Sequence, residues 1–174
     1  MDPFRVTLVV ADHSILDAAT VGAEALSRAL DGYEVAEGWE VFPAALRAKC
    51  EAVAEDPGST RWGTRLFVLD EPRMLVGWGG FKGPPADGLV ELGYAIAPDL
   101  RGRGIASAAV REMLREAFSE SEVEAVRAHT PAEPGPSTRV LEKTGFARDG
   151  EVADGEDRQL WLWRHDRPLP LVDR

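Results

Sequence analysis

The sequence is poor in the residues that form disulfides and metal sites. Cys50 is the only cysteine, so an internal disulfide and a cluster of thiolate ligands are both excluded. The three histidines, His13, His129 and His165, show no metal-ligand spacing and are interpreted as structural residues. We therefore predict no metal site, and a lone thiol is compatible with a reducing cytoplasm.

Long apolar runs and an excess of positive charge are also missing. No stretch approaches the roughly 18 uninterrupted apolar residues of a membrane-spanning helix, and the first residues lack the basic and apolar pattern of an export signal. The net charge of -10 repels phosphate backbones, so we expect neither a membrane nor a nucleic-acid partner. Plain solubility is an equally simple reason for this acidity.

Length and composition fit one globular domain. Of the 174 residues, 44% are apolar and 29% are charged, which is enough apolar material for a substantial core. The chain shows no internal repeat and no low-complexity segment. We therefore predict a single domain over residues 1–165, followed by a C-terminal tail over residues 166–174.

Alternating apolar residues predict seven strands, and residues at helical spacing predict four helices. The predicted strands are Phe4–Val10, Arg65–Leu69, Met74–Gly80, Val90–Ala97, Val123–Thr130, Phe146–Val152 and Arg158–Trp163. The predicted helices are Ile15–Leu30, one that starts at Pro43 and includes Val53, Ile105–Phe118 and Ser137–Lys143. Because the helix Ile105–Phe118 joins the strands Val90–Ala97 and Val123–Thr130, we expect these two strands to pair in parallel.

The stretch from Val90 to Ala106 joins a strand to a turn that contains two glycines. One face of the strand is small and carries a single carboxylate, that of Glu91. Pro98 ends the strand, and Gly102 and Gly104 directly precede the predicted helix. The first amides of a helix lack partners and lie at its positive end, so this turn can hold an anion.

The glycine spacing alone does not distinguish an anion site from a tight connector. The chain has no G-x-x-x-x-G-K-S/T segment, and Ser107 stands where a dinucleotide-binding fingerprint has its third glycine. Both interpretations of the turn therefore stay open at this point.

Two segments together resemble the GNAT acyltransferase superfamily, and most closely its branch of ribosomal-protein alanine N-acetyltransferases. Residues 101–106 fit the family's Q/R-x-x-G-x-G/A segment for the acetyl-CoA pyrophosphate. Residues 137–146 resemble the branch's S-x-R-V-L-E-K-x-G-F segment. The resemblance covers most of the chain. It implies an α/β (α+β) fold, with a mixed, mostly antiparallel sheet of about seven strands, about four helices, and a central parallel pair that splays apart.

The resemblance also implies a binding site for acetyl-CoA (coenzyme A). Its pyrophosphate is held by the backbone amides of Arg101, Gly102, Arg103, Gly104, Ile105 and Ala106. Its pantetheine arm hydrogen-bonds to the strand edge at Ala95, Ile96 and Ala97. The small residues on the Glu91 face leave room for that arm to approach the backbone.

The implied reaction is the attack of a primary amine on the acetyl thioester, the amine being a protein N-terminus or a small molecule. An aliphatic amine with a pKa of about 10 has to lose a proton first. Glu91 is the candidate base, directly or through a water molecule; the alternative is a glutamate on a partly solvated strand face. Where this chain has Leu141, many family members have a tyrosine that acts as the general acid and protonates the leaving thiolate. Ser137 or water would substitute, unless Ser137 serves only as a helix cap.

The missing tyrosine favours a second function, that of a non-catalytic acyl-CoA-binding or regulatory domain. Relatives also often carry an asparagine where this chain has Gly135 and Pro136, which bears on cofactor binding. For the amine acceptor, Tyr33 and Trp39 are candidate contacts at the mouth of the site, although aromatics near a helix junction also serve as core. The oligomeric state, including a homodimer, is left open.

Overall fold

The central feature of the fold is an eight-stranded sheet with helices on both faces. The computed structural model describes residues 4–155 and 158–168. Within these ranges the elements are β1 (Val6–Val10), α1 (His13–Val21), α2 (Ala23–Ala29), β2 (Glu34–Val35), α3 (Pro43–Glu55), β3 (Thr64–Leu69), β4 (Met74–Phe81), β5 (Leu89–Ile96), α4 (Ile105–Ser119), β6 (Ala125–Pro131), α5 (Pro136–Lys143), β7 (Ala147–Asp154) and β8 (Arg158–Asp166). Short 3-10 helices follow α3 (Pro57–Trp62) and β5 (Pro98–Leu100).

The strands follow the order β1-β3-β4-β5-β6-β8-β7, and the two-residue strand β2 pairs with β4 off this path. All pairs along the path are antiparallel except β5 and β6, which are parallel. The predicted fold class, its seven strands and the parallel central pair are therefore confirmed. Strand β2 was not predicted, because a strand of two residues is too short to show an alternating pattern.

The predicted helix Ile15–Leu30 is wrong as a single element. It forms two helices, α1 and α2, because the backbone of Gly22 between them has φ 140° and ψ 176°, which no helical residue adopts. The described part of the chain therefore contains five α-helices instead of about four.

Two apolar clusters cover the two faces of the sheet. The first lies between the sheet and α4, where Ile105, Ala109, Met113 and Ala117 are each no more than 1% exposed. This is the stripe that the helical spacing predicts. The second cluster lies between the sheet and α1, α2 and α3, and it includes Trp39. The first cluster includes Val90, Leu92 and Ile96 of β5, whereas the opposite face of this strand, with Glu91, Gly93 and Ala95, is only partly buried.

An ion pair between a buried arginine and a partly exposed glutamate joins the second half of α4 to β3. The side chain of Arg65 is 2% exposed, and its Nε and Nη2 donate to the carboxylate of Glu116 at 3.0 and 2.6 Å. Its remaining donors reach the carbonyl oxygens of Thr60 and Arg61 at 2.9 and 2.7 Å. Because this guanidinium has its partners, its burial is compatible with stability.

Two glycines of β4 allow β5 to approach closely. A Cβ atom added at Gly77 would overlap the carbonyl oxygen of Ala95, and one added at Gly79 would overlap that of Gly93. The antiparallel register pairs Gly77 with Ile96 and Gly79 with Tyr94, so each glycine lies beside the peptide group that carries this carbonyl. The position of the β5 backbone therefore depends on the absence of side chains on its neighbour.

Two residues of the predicted C-terminal tail belong to the fold. Asp166 is the last residue of β8, and the next residue, Arg167, donates from Nε to Val123 O at 2.8 Å and from Nη1 to Phe118 O at 2.7 Å. These bonds attach the end of β8 to the connection between α4 and β6. Residues 169–174 of the predicted tail lie outside the described residues.

Candidate functional site at the fork between β5 and β6

The two parallel strands separate after only three residue pairs. The register runs from Leu89 opposite Ala125 to Glu91 opposite Arg127, and there it stops. From Leu92 onwards β5 pairs with β4 instead. The strand therefore changes its neighbour at Glu91, and beyond this point its edge facing β6 is open. We call this opening the fork.

Alternation along β5 decides which backbone groups face the fork. The carbonyl of Glu91 accepts from Lys82 N, and the amide of Ala97 donates to Val76 O, both at 2.9 Å, so these groups point toward β4. Because backbone groups point to alternate edges along a strand, the amide and carbonyl groups of Tyr94 and Ile96 point into the fork. Of the three predicted pantetheine contacts, Ile96 has this orientation, whereas the polar groups of Ala95 and Ala97 face β4. Binding by all three stays a prediction, and sequence reasoning did not single out Tyr94, whose backbone faces the fork.

The turn after β5 leaves the start of α4 open. Gly102 and Gly104 have φ values of 74° and 89°, a left-handed conformation that costs glycine nothing. No side chain caps the helix, and its first intrahelical bond runs from Ala108 N to Gly104 O at 3.1 Å. The amides of Ile105 and Ala106 therefore have no intrahelical acceptor and lie at the positive end of the helix dipole.

The two arginines of the turn bind its own backbone. Arg101 Nε donates to Ile96 O at 3.0 Å, and Arg103 Nη2 donates to Asp99 O at 3.1 Å. Each contact fixes the turn to the end of β5 or to the short helix that follows it. The arrangement favours main-chain amides over these side chains as the anion donors, and the predicted pyrophosphate contacts stay a prediction.

Glu91 lies where the strands separate and has three partners. Its side chain is 12% exposed. Oε1 contacts Lys82 Nζ and lies 2.9 Å from His129 Nδ1, while Oε2 accepts from Arg127 Nε at 3.1 Å. Three groups from two other segments therefore converge on one carboxylate.

These partners oppose protonation of Glu91. Burial raises the pKa of Glu91, but the hydrogen bond and charge of Lys82, together with those of His129, more than offset this, and its pKa lies below the ordinary value. The carboxylate is therefore ionised at neutral pH. The sequence pattern gave no reason to connect His129 with Glu91, because their proximity depends on the parallel register.

Tyr94 and Ser137 meet at the start of α5. The Tyr94 hydroxyl donates to the carbonyl of Ser137 at 3.1 Å, and burial raises the pKa of this tyrosine, so the phenol is neutral. Ser137 is the second residue of α5 and is exposed. The cap is formed by Thr138 Oγ1, which accepts from Gly135 N at 2.9 Å and donates to Gly135 O at 2.8 Å. The reading of Ser137 as only a cap is wrong, and its catalytic role stays a prediction.

The aromatic residues considered for the acceptor have structural partners. Tyr33 donates from its hydroxyl to Asp70 Oδ1 at 3.2 Å, and its ring lies 4.3 Å from the guanidinium carbon of Arg73. Trp39 is 3% exposed in the core, which favours the core alternative for its ring. Phe42, in the same connection between α2 and α3, is 59% exposed. Substrate contact by Tyr33 and Trp39 stays a prediction.

Two other kinds of feature are absent from the described part of the chain. Within residues 4–155 and 158–168, no three histidine, cysteine or acidic side chains are grouped so that they could hold a metal ion. In the same residues no helix is long and apolar enough to cross a membrane.

Sequence comparison identifies relatives of this chain. The family model described as an acetyltransferase (GNAT) domain matches residues 8–147. The chain is also 27% identical over 153 residues to the uncharacterized N-acetyltransferase YjdG of Bacillus subtilis (strain 168), a match that covers 86% of this chain and 90% of YjdG.

Solved structures with a similar fold include two acetyltransferases. Mycobacterium smegmatis RimJ in complex with CoA-disulfide has a TM-score of 0.66 at 22% identity, with 94% of this chain and 85% of RimJ covered. The ribosomal-protein-S5-alanine acetyltransferase from Vibrio fischeri has a TM-score of 0.65 at 16% identity, with 95% and 94% covered. At these identities the likeness concerns the fold.

Proposed function

Because this chain belongs to the GNAT acetyltransferase family, we propose that it is an N-acetyltransferase that transfers the acetyl group of acetyl-CoA to a primary amine. The acceptor is a protein N-terminus or a small-molecule amine. Membership follows from the family model, which matches 8–147 of the 174 residues, and it confirms the family and the acyltransferase class that the two sequence segments indicate. The proposal treats residues 1–165, together with Asp166 at the end of β8 and Arg167 after it, as one catalytic domain and places it in the cytoplasm.

The observation that carries the proposal is the combination of an open strand edge with an uncapped helix start. Beyond Glu91 the edge of β5 that carries the backbone groups of Tyr94 and Ile96 has no pairing strand among the described residues, although the Ile96 carbonyl accepts from Arg101. The amides that begin α4 follow only a short turn later. An extended amide-containing arm fits the first feature, and a pyrophosphate fits the second. Coenzyme A carries both groups, in that order, so the residues present fit this ligand.

In the proposed reaction the thioester supplies the acetyl group, and the protein positions it and manages one proton. The amides from Arg101 to Ala106 would hold the pyrophosphate, and the open edge of β5 would hold the pantetheine arm. The Glu91 carboxylate promotes removal of the amine proton, directly or through a water molecule. Ser137 or water assists the leaving thiolate, whose pKa of about 8.5 requires little help.

One observation favours a second function, a domain that binds acyl-CoA without catalysis. Leu141 occupies the position where many family members have a tyrosine general acid, and its side chain is fully buried in the core. The neutral phenol of Tyr94 approaches the same helix, but it is bonded to a backbone carbonyl. A protein of this kind would keep the donor site and lack turnover.

Two measurements test the proposal. Calorimetric titration with acetyl-CoA is expected to show one site per chain, and thiol release is expected when an amine from a panel of peptides, polyamines and amino acids is added. Absence of binding would contradict both functions. Binding without thiol release above the rate seen with no amine would contradict the transferase and support the non-catalytic domain. Light scattering of the same sample determines whether the protein is a homodimer.

A further inference from the structure

The carboxylate of Glu91 has one neighbour able to take up a proton. Lysine and arginine side chains offer only donors, whereas a neutral imidazole has one donor and one acceptor nitrogen. Among the contacts of Glu91, this singles out His129, whose Nδ1 lies 2.9 Å from Glu91 Oε1. Glu91 itself stays ionised because its partners hold its pKa low.

The contact with Glu91 determines which imidazole nitrogen is free. An ionised carboxylate can only accept, so the proton of the neutral imidazole lies on Nδ1 and the lone pair lies on Nε2. This assignment follows from the hydrogen bond and the ionisation of Glu91. The tautomer is the one in which Nε2 can act as a base.

His129 also lies inside the fork. The last paired residue of β6 is Arg127, opposite Glu91, and His129 is two residues further along the same face of the strand. Its side chain is 21% exposed, so it is held on one side and accessible on the other. A group that reaches the fork along the open edge of β5 would arrive at this position.

We propose that His129 is the general base of the acetyl transfer and that Glu91 is a positioning residue that fixes the imidazole and stabilises its protonated form. This inference rests on the proposed transferase function and refines the role of Glu91 in it. The ammonium form of the amine first gives one proton to His129 Nε2, and the neutral nitrogen then forms a bond to the acetyl carbon. The carbon–sulfur bond breaks with its electron pair on sulfur, the thiolate takes the second proton of the acylated nitrogen, and the imidazolium releases its proton to water.

The charged groups around His129 support this division of roles. Glu91 faces it from β5, Lys82 approaches from the segment after β4, and Arg127 precedes it on β6. On the other side its register partner on β8 is Leu162, which does not titrate. Although burial raises the pKa of Glu91, the hydrogen bond and charge of Lys82 help to hold it below its ordinary value, so the carboxylate stays an acceptor for the Nδ1 proton of His129.

The test uses the variant His129→Asn, because an asparagine amide can occupy the position of Nδ1 and still donate to Glu91 without offering a base. We expect kcat at pH 7 to fall by about 100-fold or more, with an unchanged Kd for acetyl-CoA. The loss should shrink above about pH 10, where an aliphatic amine arrives already neutral. A purely structural role would lower the rate by the same factor at every pH.

The matched control is His13→Asn on the exposed start of α1, which should keep the wild-type rate and pH profile. The inference is overturned if His129→Asn keeps more than about a third of the wild-type kcat at pH 7, a loss far below general-base catalysis. A loss that does not depend on pH also overturns it.

Nitrogen NMR of the His129 ring separates failure of this inference from failure of the transferase function. The resting protein is expected to show the proton on Nδ1, and Glu91→Gln is expected to change the tautomer or its population. A proton on Nε2 of the wild-type protein would overturn the inference without any turnover being measured. If the wild-type protein binds acetyl-CoA but acetylates no amine, the transferase function itself fails.

Discussion

Helices α1 and α4 begin in opposite ways. In front of α1, the carboxylate of Asp12 accepts from Ile15 N at 3.0 Å and from the Ser14 hydroxyl at 2.7 Å. In front of α4, Gly104 offers no side chain and no cap is present. Yet α4 is the longer and more central helix, with 15 residues of which eight are buried, whereas α1 has nine residues of which only Leu16 is buried.

The difference shows that the open start of α4 is not a sign of a weak helix. Packing of its apolar stripe and the Arg65–Glu116 ion pair hold α4 in place, so it does not require a cap for stability. Its free amides are therefore available to a ligand. In α1 the same groups are occupied by a carboxylate of the chain itself, which an external anion cannot displace without loss of that cap.

The largest effect is expected when α4 is given the carboxylate that α1 has. Gly104→Glu should weaken acetyl-CoA binding by about 100-fold or more, because a side-chain anion would compete for the helix start and the left-handed backbone disfavours a side chain. Calorimetry measures this change. The control Gly104→Asn has no charge and tolerates the left-handed conformation, so it should bind far better than Gly104→Glu. Equal losses in both variants would contradict an anion site.

An intermediate effect is expected from the arginine that joins the turn to the strand. Arg101→Gln removes the bond to Ile96 O and should raise the Kd for acetyl-CoA by about tenfold, the size of one lost charged hydrogen bond. Arg103→Gln removes an exposed contact to Asp99 O and should change the Kd for acetyl-CoA by less than about threefold. The same titration measures both. A larger effect from Arg103 than from Arg101 would indicate that side chains, not amides, bind the phosphates.

The converse change removes the cap of α1. Asp12→Ala should lower the free energy of unfolding by about 1 kcal/mol, the usual contribution of such a cap, and leave the Kd for acetyl-CoA unchanged. Urea unfolding and calorimetry measure the two quantities. Asp12→Asn is the matched control, because asparagine caps nearly as well. A loss of ligand binding in Asp12→Ala would show that the two helix starts are coupled.

The smallest effect concerns the charge of Asp12. Its backbone bond to Ile15, with the Ser14 hydroxyl bond, lowers the pKa of Asp12, so the folded state favours the ionised form. This contribution to stability is present above the unfolded-state pKa of about 3.9 and is lost as the pH falls through the lower folded-state pKa. The stability of the wild-type protein relative to Asp12→Asn should therefore be greater at pH 7 than at pH 3 in urea unfolding. If the stability advantage of the wild-type protein over Asp12→Asn grew toward low pH, the bonds to Asp12 would not favour its ionised form.

Most of the fold could be predicted from the sequence because its elements are strongly patterned. The alternation over β5 and the stripe of α4 reflect burial on defined faces, and the parallel pairing of β5 and β6 follows from the helix between them. The break at Gly22 was missed because a glycine costs a helix only about 1 kcal/mol, and the sequence does not reveal whether tertiary packing tolerates it. The two-residue strand β2 has no pattern to detect.

The candidate site was less predictable because it depends on distances between strands. Glu91 was identified through its place on β5, but the contact with His129 joins residues 38 positions apart through a register of three residue pairs. The residue type of Ser137 is compatible with a cap as well as with a catalytic role, but the neighbouring Thr138 makes the capping bonds. Residue type predicts a capacity for hydrogen bonding, and only the backbone path decides which residue uses it.

Gly77 and Gly79 show that the shape of the fork also depends on β4, the strand on the other edge of β5. They lie on β4, on the side of β5 that faces away from the fork, and a methyl group at either position would displace a β5 carbonyl. An engineer who wished to widen the acceptor range would naturally vary the residues that line the opening. The two glycines mark positions that such a library has to leave alone, although neither would be recognised by its proximity to a ligand.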